Sequence, residues 1–508
     1  MSDNKTIFKN TVLLYARTIF LLVLGVFTSR VTMQALGVEN YGIINVVGGF
    51  VSMFALISGA LTGACQRFIT YELGKPGGDV RQVFSSTFFI HLFLAVLITI
   101  LAETFGLYFV NSKLNLPPEK MVEVQWVFHC SVISFILSLI NIPYNALIIA
   151  HERLQAFAYL SIVEGLLKFG TVFCILKLPY NSLILYSCLT LLSSTILRLI
   201  IQIYCTHTFR SEAKVKRVSD KSYFISIFKF SGWAIIGNSA TLLNNQGINM
   251  ILNIFVGVTI NAARGIASMV ESVVLSFVNN FTMALNPQIT KSYAASDKTR
   301  MLDLLDLGTR LSFSLMMCMS VPIIIVAPDL LQIWLTTYPD YAVIFLRLTL
   351  IISIVQAVAN PYITAVCATG NIRNYQLTVG GLTLLNIPVC YALLKVGLDA
   401  TSVYFASLIM YIATFAIRMM FVRNQIGLPI KELCKTIILK LIPIALISLA
   451  GCYFIAKLIS TETFWGLFLF AILSCFVTMP LIFYVILKKN ERNYAINYIK
   501  TKISNKND

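Results

Sequence analysis

The sequence predicts an all-α polytopic membrane protein of about fourteen transmembrane helices, arranged as two six-helix bundles related by a parallel repeat, with two further helices after them. Three observations predict it. Of 508 residues, 57% are hydrophobic and only 12% charged, with a mean hydropathy of +0.81, far from the balance of a soluble domain. Apolar runs of roughly 20 residues, the length that crosses a bilayer, recur along the whole chain. The basic residues gather on one side of those runs, so the net charge of +17 reads as membrane orientation rather than nucleic-acid binding.

Taken in order, spans are expected near 11–33, 41–65, 82–110, 121–150, 154–176 and 182–208, then near 223–254, 258–287, 303–332, 341–368, 374–394 and 398–421, and finally near 435–457 and 463–487. The opening MSDNKTIFKN leads into an apolar run too long for a signal-peptide core and followed by no A-x-A-like site, so the first helix is expected to be retained. With the N-terminus in the cytoplasm, the cytoplasmic segments carry 24 of the 39 Lys and Arg, the opposite side five and the spans ten. An error of one helix would reverse the sign of every later loop, which is why this asymmetry sets the count. Eleven cysteines without a C-x-x-C pair, and four histidines, give no disulfide framework or structural metal site.

Internal symmetry supports the two-bundle plan. LGVENYGIINVV at 36–47 falls on VGVTINAARGIA at 256–267, an offset of 220, and NIPYNALIIAHERLQAF from Asn141 falls on ANPYITAVCATGNIRNY from Ala359, an offset of 218. Domains follow: an N-terminal bundle over 1–210, a polar cytoplasmic linker over 211–222, a second bundle over 223–430, two additional helices over 431–488 and a basic cytoplasmic tail over 489–508.

SRVTMQALGVENYG, QRFITYELG and IPYNALIIAHER together resemble the polysaccharide-transporter branch of the multidrug/oligosaccharidyl-lipid/polysaccharide exporter superfamily, whose familiar members are bacterial O-antigen flippases of the Wzx type. The resemblance covers the whole chain. It implies two lobes around a cavity that opens alternately to either side of the cell inner membrane, with the first, second, seventh and eighth helices flanking it. It also implies an undecaprenyl-diphosphate-linked oligosaccharide as cargo, and membrane lipids and polysaccharide polymerase machinery as partners, for lipopolysaccharide or other surface-polysaccharide biosynthesis.

Charge within the spans tests that expectation on physical grounds, because hydrocarbon cannot solvate the oxygens of a diphosphate. The intramembrane basic residues are Arg17, Arg30, Lys168, Arg198, Lys229, Arg264, Arg310, Arg347, Arg418 and Lys440, against Glu103, Glu164 and Glu271. Arg198, Lys229, Arg418 and Lys440 lie near helix ends and are read as anchors whose long side chains snorkel to the headgroups. Glu164 and Lys168, four apart on one helix face, can neutralise each other, with structural and cavity roles evenly matched. Arg17 and Arg30 are about 140° apart in azimuth and roughly 20 Å apart along one helix, so they do not share a face. Arg30 divides evenly between snorkelling and the cavity mouth. Arg264 and Glu271, seven apart, do share a face.

The expected substrate-binding set is therefore Arg17, Arg30, Arg264, Arg310, Lys168, Glu271 and the amides Asn244, Asn245 and Gln246 of NSATLLNNQGIN. Guanidinium forks suit diphosphate oxygens and amides suit sugar hydroxyls, although helix–helix hydrogen bonding is the commoner use of such amides. Pro143, Gly247 and Pro361 are candidate hinges. No catalytic acid/base constellation and no G-x-x-x-x-G-K-[ST] occurs, so neither an enzyme nor ATP is expected; a proton or sodium gradient is the candidate driving force. A membrane polymerase or ligase, which would need a sizeable external loop, ranks below a lipid-linked peptidoglycan-precursor flippase and a multidrug exporter of the same superfamily. Cationic drugs would favour a cavity lined by acids.

Overall fold

In the computed structural model the chain is described over residues 2–52, 54–112, 117–177, 180–216, 221–335, 337–427, 429, 440–489 and 491–493. The tail beyond 493, residues 217–220 of the expected linker and 435–439 of the thirteenth expected span lie outside the described residues. What is described is helical. In chain order the helices are α1 (Ser2–Ser52), α2 (Ala55–Gly74), α3 (Val80–Leu101), α4 (Leu107–Ser112), α5 (Met121–Ala150), α6 (Leu154–Lys177), α7 (Ser182–Thr208), α8 (Lys221–Val256), α9 (Val258–Ala294), α10 (Lys298–Ile325), α11 (Ala327–Leu335), α12 (Ala342–Thr369), α13 (Arg373–Lys395), α14 (Ser402–Ile426), α15 (Ile442–Leu458) and α16 (Phe464–Leu481).

Among the described residues ten helical stretches are long and apolar enough to cross a membrane, and Asn10–Gly25 and Ile442–Leu458 are shorter apolar helices. Phe93, Phe105, Met250, Ile254, Phe405, Ile409 and Phe476 are among many large apolar side chains left more than half exposed. Exposure on that scale is what a lipid-facing surface requires and what a water-facing one avoids. The protein is a multi-pass membrane protein.

Two compact units make up the chain: Met1–Ser239 with Met283–Lys298 and Gly370–Arg373, and Ala240–Thr282 with Thr299–Thr369 and Asn374–Asp508. Within the first, α5 is the central helix. It packs on α7, α2, α3 and α1, and α1 packs on α6. α5 buries Phe128, Leu139, Tyr144, Leu147 and Ile148, and the Tyr144 ring meets Phe84 edge-on at 5.1 Å. Within the second unit α12 takes the corresponding place, packed on α14, with Phe345, Tyr362 and Val366 fully buried and the Tyr362 hydroxyl accepting from Thr309 Oγ1 at 2.9 Å. The same pairing, fourth span on sixth and tenth on twelfth, is what a repeat predicts.

The backbone meets the sequence alignment at its anchor points. Gly37 and Gly257, superposed by the 220-residue offset, both have positive φ, 75° and 108°. A glycine takes that conformation without the Cβ clash other residues suffer, so one residue makes the corner. The non-helical Gly37 divides α1 into two helices, in line with the short connection the sequence suggests, and Gly257 separates α8 from α9. The second expected span differs. Helix α1 ends at Ser52 and α2 begins at Ala55, so the apolar run over 41–65 is divided between two helices. Pro143 and Pro361, the other aligned pair, sit inside α5 and α12 at matching places.

Candidate functional site

The second unit contains a cavity of about 780 Å³, walled by four helices. α8 contributes Thr241, Asn244, Asn245, Gln246, Ile248 and Asn249; α9 contributes Asn261, Arg264, Ser268, Glu271 and Ser272; α12 contributes Thr349, Ile352 and Gln356; α14 contributes Tyr404, Ser407 and Tyr411. Each set recurs at three, four and seven residues, the spacing that keeps side chains on one helical face. Arg264 and Glu271 are its charged residues, and amides and hydroxyls make up most of the rest.

The expected site residues separate into distinct environments. Asn244, Asn245, Gln246, Arg264 and Glu271 come together in the cavity. Asn244 is buried, and its Oδ1 accepts from Asn386 Nδ2 at 3.2 Å, while Asn386 also donates to Ser407 Oγ at 3.0 Å. One amide of the cluster thus does serve helix–helix hydrogen bonding, while Asn245 and Gln246 stay exposed on the cavity wall. Gly247 lies where α8 approaches α13: a Cβ there would sit 2.9 Å from Ile387 Cδ1.

Arg17 and Lys168 belong to the first unit. The Arg17 guanidinium lies over the Phe157 ring at 5.1 Å, and its buried Nε has no hydrogen-bond partner among the described residues. Lys168 is exposed and pairs with Glu164 at 2.6 Å. Arg30 lies in α1, and its side chain is outside the described residues.

Arg310 is placed differently. It is 2% exposed on α10, away from the cavity lining; Nη1 and Nη2 reach Glu491 at 3.0 and 2.8 Å, Nη2 reaches Asp306 at 3.0 Å, and Nη1 also donates to the Ile486 carbonyl at 2.7 Å. Lys488 Nζ meets Asp306 at 2.9 Å, so two cations face two anions.

Arg198 is buried rather than snorkelling: it donates from Nη1 to Asn141 Oδ1 at 3.1 Å and lies over the Tyr144 ring at 4.6 Å. The polar Asn141 on the neighbouring helix supplies the partner that the headgroups were expected to supply. Arg418 Nε donates to Tyr375 at 3.0 Å and Arg347 Nε to the Ile324 carbonyl at 2.9 Å, whereas Lys229 and Lys440 are exposed. The Glu103 carboxylate accepts from His129 Nδ1 at 3.0 Å. Among the described intramembrane arginines, only Arg17 and Arg264 make no hydrogen bond or ion pair.

Arg264 is therefore the cation of the cavity that is not already engaged. Its Nη1 is buried and bare. Asn261 Oδ1, one turn away on α9, is likewise buried without a partner, and Glu271 accepts from Ser353 Oγ of α12. Donors and acceptors left open in a roomy polar cavity are the chemistry that receives a ligand carrying both an anionic group and hydroxyls. Sequence reasoning missed Asn261, Ser353, Gln356, Tyr404 and Tyr411. The three-to-four-residue spacing of polar groups on α9 and α14 was the available signal; which apolar helices faced each other was not.

Solved structures share the fold of this helical membrane protein. A MATE transporter in the bent conformation matches with a TM-score of 0.70 at 13% identity, covering 84% of this chain and 96% of that one. A transporter of the MOP superfamily from Pyrococcus furiosus Vc1, described as having a binding pocket of reversed polarity, matches with a TM-score of 0.65 at 15% identity over 82% and 96%. Residues 7–293 match the family model described as polysaccharide biosynthesis protein, and the chain belongs to that family. A curated relative, the uncharacterized membrane protein EpsK of Bacillus subtilis (strain 168), is 20% identical over 331 residues; the match spans 63% of this chain and 63% of the relative's length.

Proposed function

We propose that the protein is a flippase: it carries an undecaprenyl-diphosphate-linked oligosaccharide, the repeat unit of O-antigen or another surface polysaccharide, from the cytoplasmic to the outer leaflet of the bacterial inner membrane by alternating access. The observation that carries the reading is Arg264, a cation in a cavity of about 780 Å³ with a buried donor that nothing among the described residues uses. A guanidinium in that state suits a phosphate oxygen, and the surrounding amides and hydroxyls suit sugar hydroxyls. Membership of the polysaccharide biosynthesis family supports a saccharide cargo. Arg17, whose buried Nε has no hydrogen-bond partner among the described residues, is proposed as the matching contact from the first unit. Both termini are proposed to be cytoplasmic.

The test is deletion of the gene with complementation by wild type or Arg264→Ala. Loss of surface polysaccharide with build-up of its lipid-linked precursor, restored by wild type and not by Arg264→Ala, supports the reading; unaltered polysaccharide in the deletion strain overturns it. Glu271 favours a second reading, export of cationic drugs, which the fold shares. Drug sensitivity of the same strain separates the two: the flippase reading expects no change, and export of drugs expects hypersensitivity.

A further inference from the structure

We propose that Glu271 is a resident counter-anion for Arg264, held off the guanidinium by Ser353 so that the cation stays compensated yet open to an anionic ligand; the proposal rests on the reading of Arg264 as the phosphate contact. Arg264 and Glu271 line one cavity and stand seven residues apart on α9, about 10 Å along the axis. Glu271 is bonded to the fully buried Ser353 hydroxyl on α12, and no hydrogen bond or ion pair joins it to Arg264 among the described residues. The other residues lining the cavity are neutral, so no second anion serves the arginine there.

Charge compensation and ligation have different ranges, which is what makes this arrangement useful. Coulomb attraction falls only as the inverse of distance and persists across about 10 Å of weakly polarisable protein, whereas a hydrogen bond needs contact. Glu271 therefore lowers the cost of holding Arg264 inside the membrane without occupying its donors. A phosphate group can ligate Arg264 without first breaking a salt bridge, then experiences the repulsion of Glu271, which weakens the complex and favours release. The contrast with Arg310, whose donors are filled by two carboxylates and a carbonyl, shows that the same fold does close an arginine completely where closure is wanted.

Two substitutions move the affinity in opposite directions. Glu271→Gln removes the opposing charge while keeping a partner for Ser353, and should tighten binding of a phosphate ligand about tenfold, the size expected of one charge at that distance and an intermediate dielectric. Ser353→Ala releases the carboxylate to reach Arg264, and should weaken binding. The experiment measures equilibrium binding of radiolabelled geranyl diphosphate to the full-length protein in nanodiscs of neutral lipid, each variant first checked for a monodisperse elution profile. Tighter binding by Glu271→Gln with weaker binding by Ser353→Ala supports the proposal. Unchanged or weaker binding by Glu271→Gln, while Arg264→Ala loses binding, overturns it and leaves the functional reading standing. Equal binding by wild type and Arg264→Ala overturns both. Should Glu271→Gln fail the elution check, the sign of the Ser353→Ala effect decides: tighter or unchanged binding overturns the proposal.

Discussion

Arg310 and Arg264 are both arginines inside the second unit, and they differ in what the chain has done with their donors. Arg310 is nearly inaccessible and filled: Glu491 and Asp306 take its nitrogens at 2.8 to 3.1 Å and a backbone carbonyl takes a further hydrogen. Arg264 is half-buried in a cavity with Nη1 bare. Burying an ion is costly in either case, and the cost is met at Arg310 by contact pairing and at Arg264 by a carboxylate kept at a distance. The difference teaches that intramembrane charge alone does not mark a site; an intramembrane charge with unfilled donors does.

Breaking the two arginines in parallel should therefore give opposite phenotypes, and this is the largest expected effect. Arg310→Ala strands Glu491 and Asp306 and should destabilise the fold by about 3–5 kcal/mol, the usual consequence of orphaning a buried ion pair. Its readout is membrane abundance and thermal stability in detergent. Arg264→Ala strands no contact partner and should leave abundance near wild type while abolishing polysaccharide export. Equal abundance of the two variants would erase the distinction.

A second, smaller effect sharpens it. Lys in place of Arg264 keeps the charge but loses the planar fork, so export should be restored only in part, and the same should hold at Arg17. Full activity of both Lys variants would mean that charge, not bidentate geometry, is what the site uses. At Arg310 the Lys variant should remain far less stable than wild type, because one ammonium cannot span Glu491, Asp306 and the Ile486 carbonyl together.

The amide network provides a control of intermediate size. Asn386→Ala removes the donor shared by Asn244 and Ser407 and should lower stability by roughly 1–3 kcal/mol, the range for a buried polar group left unsatisfied, measured by thermal unfolding in detergent. Asn245→Ala, on the exposed wall of the same cavity, should leave the unfolding temperature unchanged.

The smallest expected effect lies outside the spans. The hydroxyls of Tyr341 and Thr401 hold the Asp399 carboxyl below its ordinary value, and Tyr341 is itself raised by that carboxylate. A depressed carboxyl stabilises the fold above its unfolded-state value and loses that contribution as pH falls through the folded one. Tyr341→Phe should therefore make thermal stability slightly less sensitive to acid below the ordinary carboxylate range, with no change at neutral pH in export.

How much of this was legible in the sequence follows from which forces are local. Hydropathy reported the helices, and the offset of 220 found Gly37 over Gly257, because a corner needing positive φ leaves a glycine in the sequence. It did not report that α1 would end at Ser52 and α2 begin at Ala55, since that boundary does not depend on hydropathy. The grouping of Arg264 with Glu271 was legible, being a matter of spacing on one helix. The fates of Arg310 and Arg198 were not, because their partners, Glu491 and Asn141, lie 181 and 57 residues away. Tyr404 and Tyr411 were hidden for the same reason: an aromatic on an apolar helix shows its role only once its neighbours are placed.

The central claim, that Arg264 contacts the cargo rather than the fold, is tested most directly by translocation of undecaprenyl-diphosphate-linked oligosaccharide in proteoliposomes holding wild type, Arg264→Ala or Arg264→Lys at matched protein density. The account predicts movement by wild type, none above protein-free liposomes by the Ala variant and an intermediate rate for Lys, with all three proteins equally folded. A rate for Arg264→Ala equal to that of wild type would contradict it.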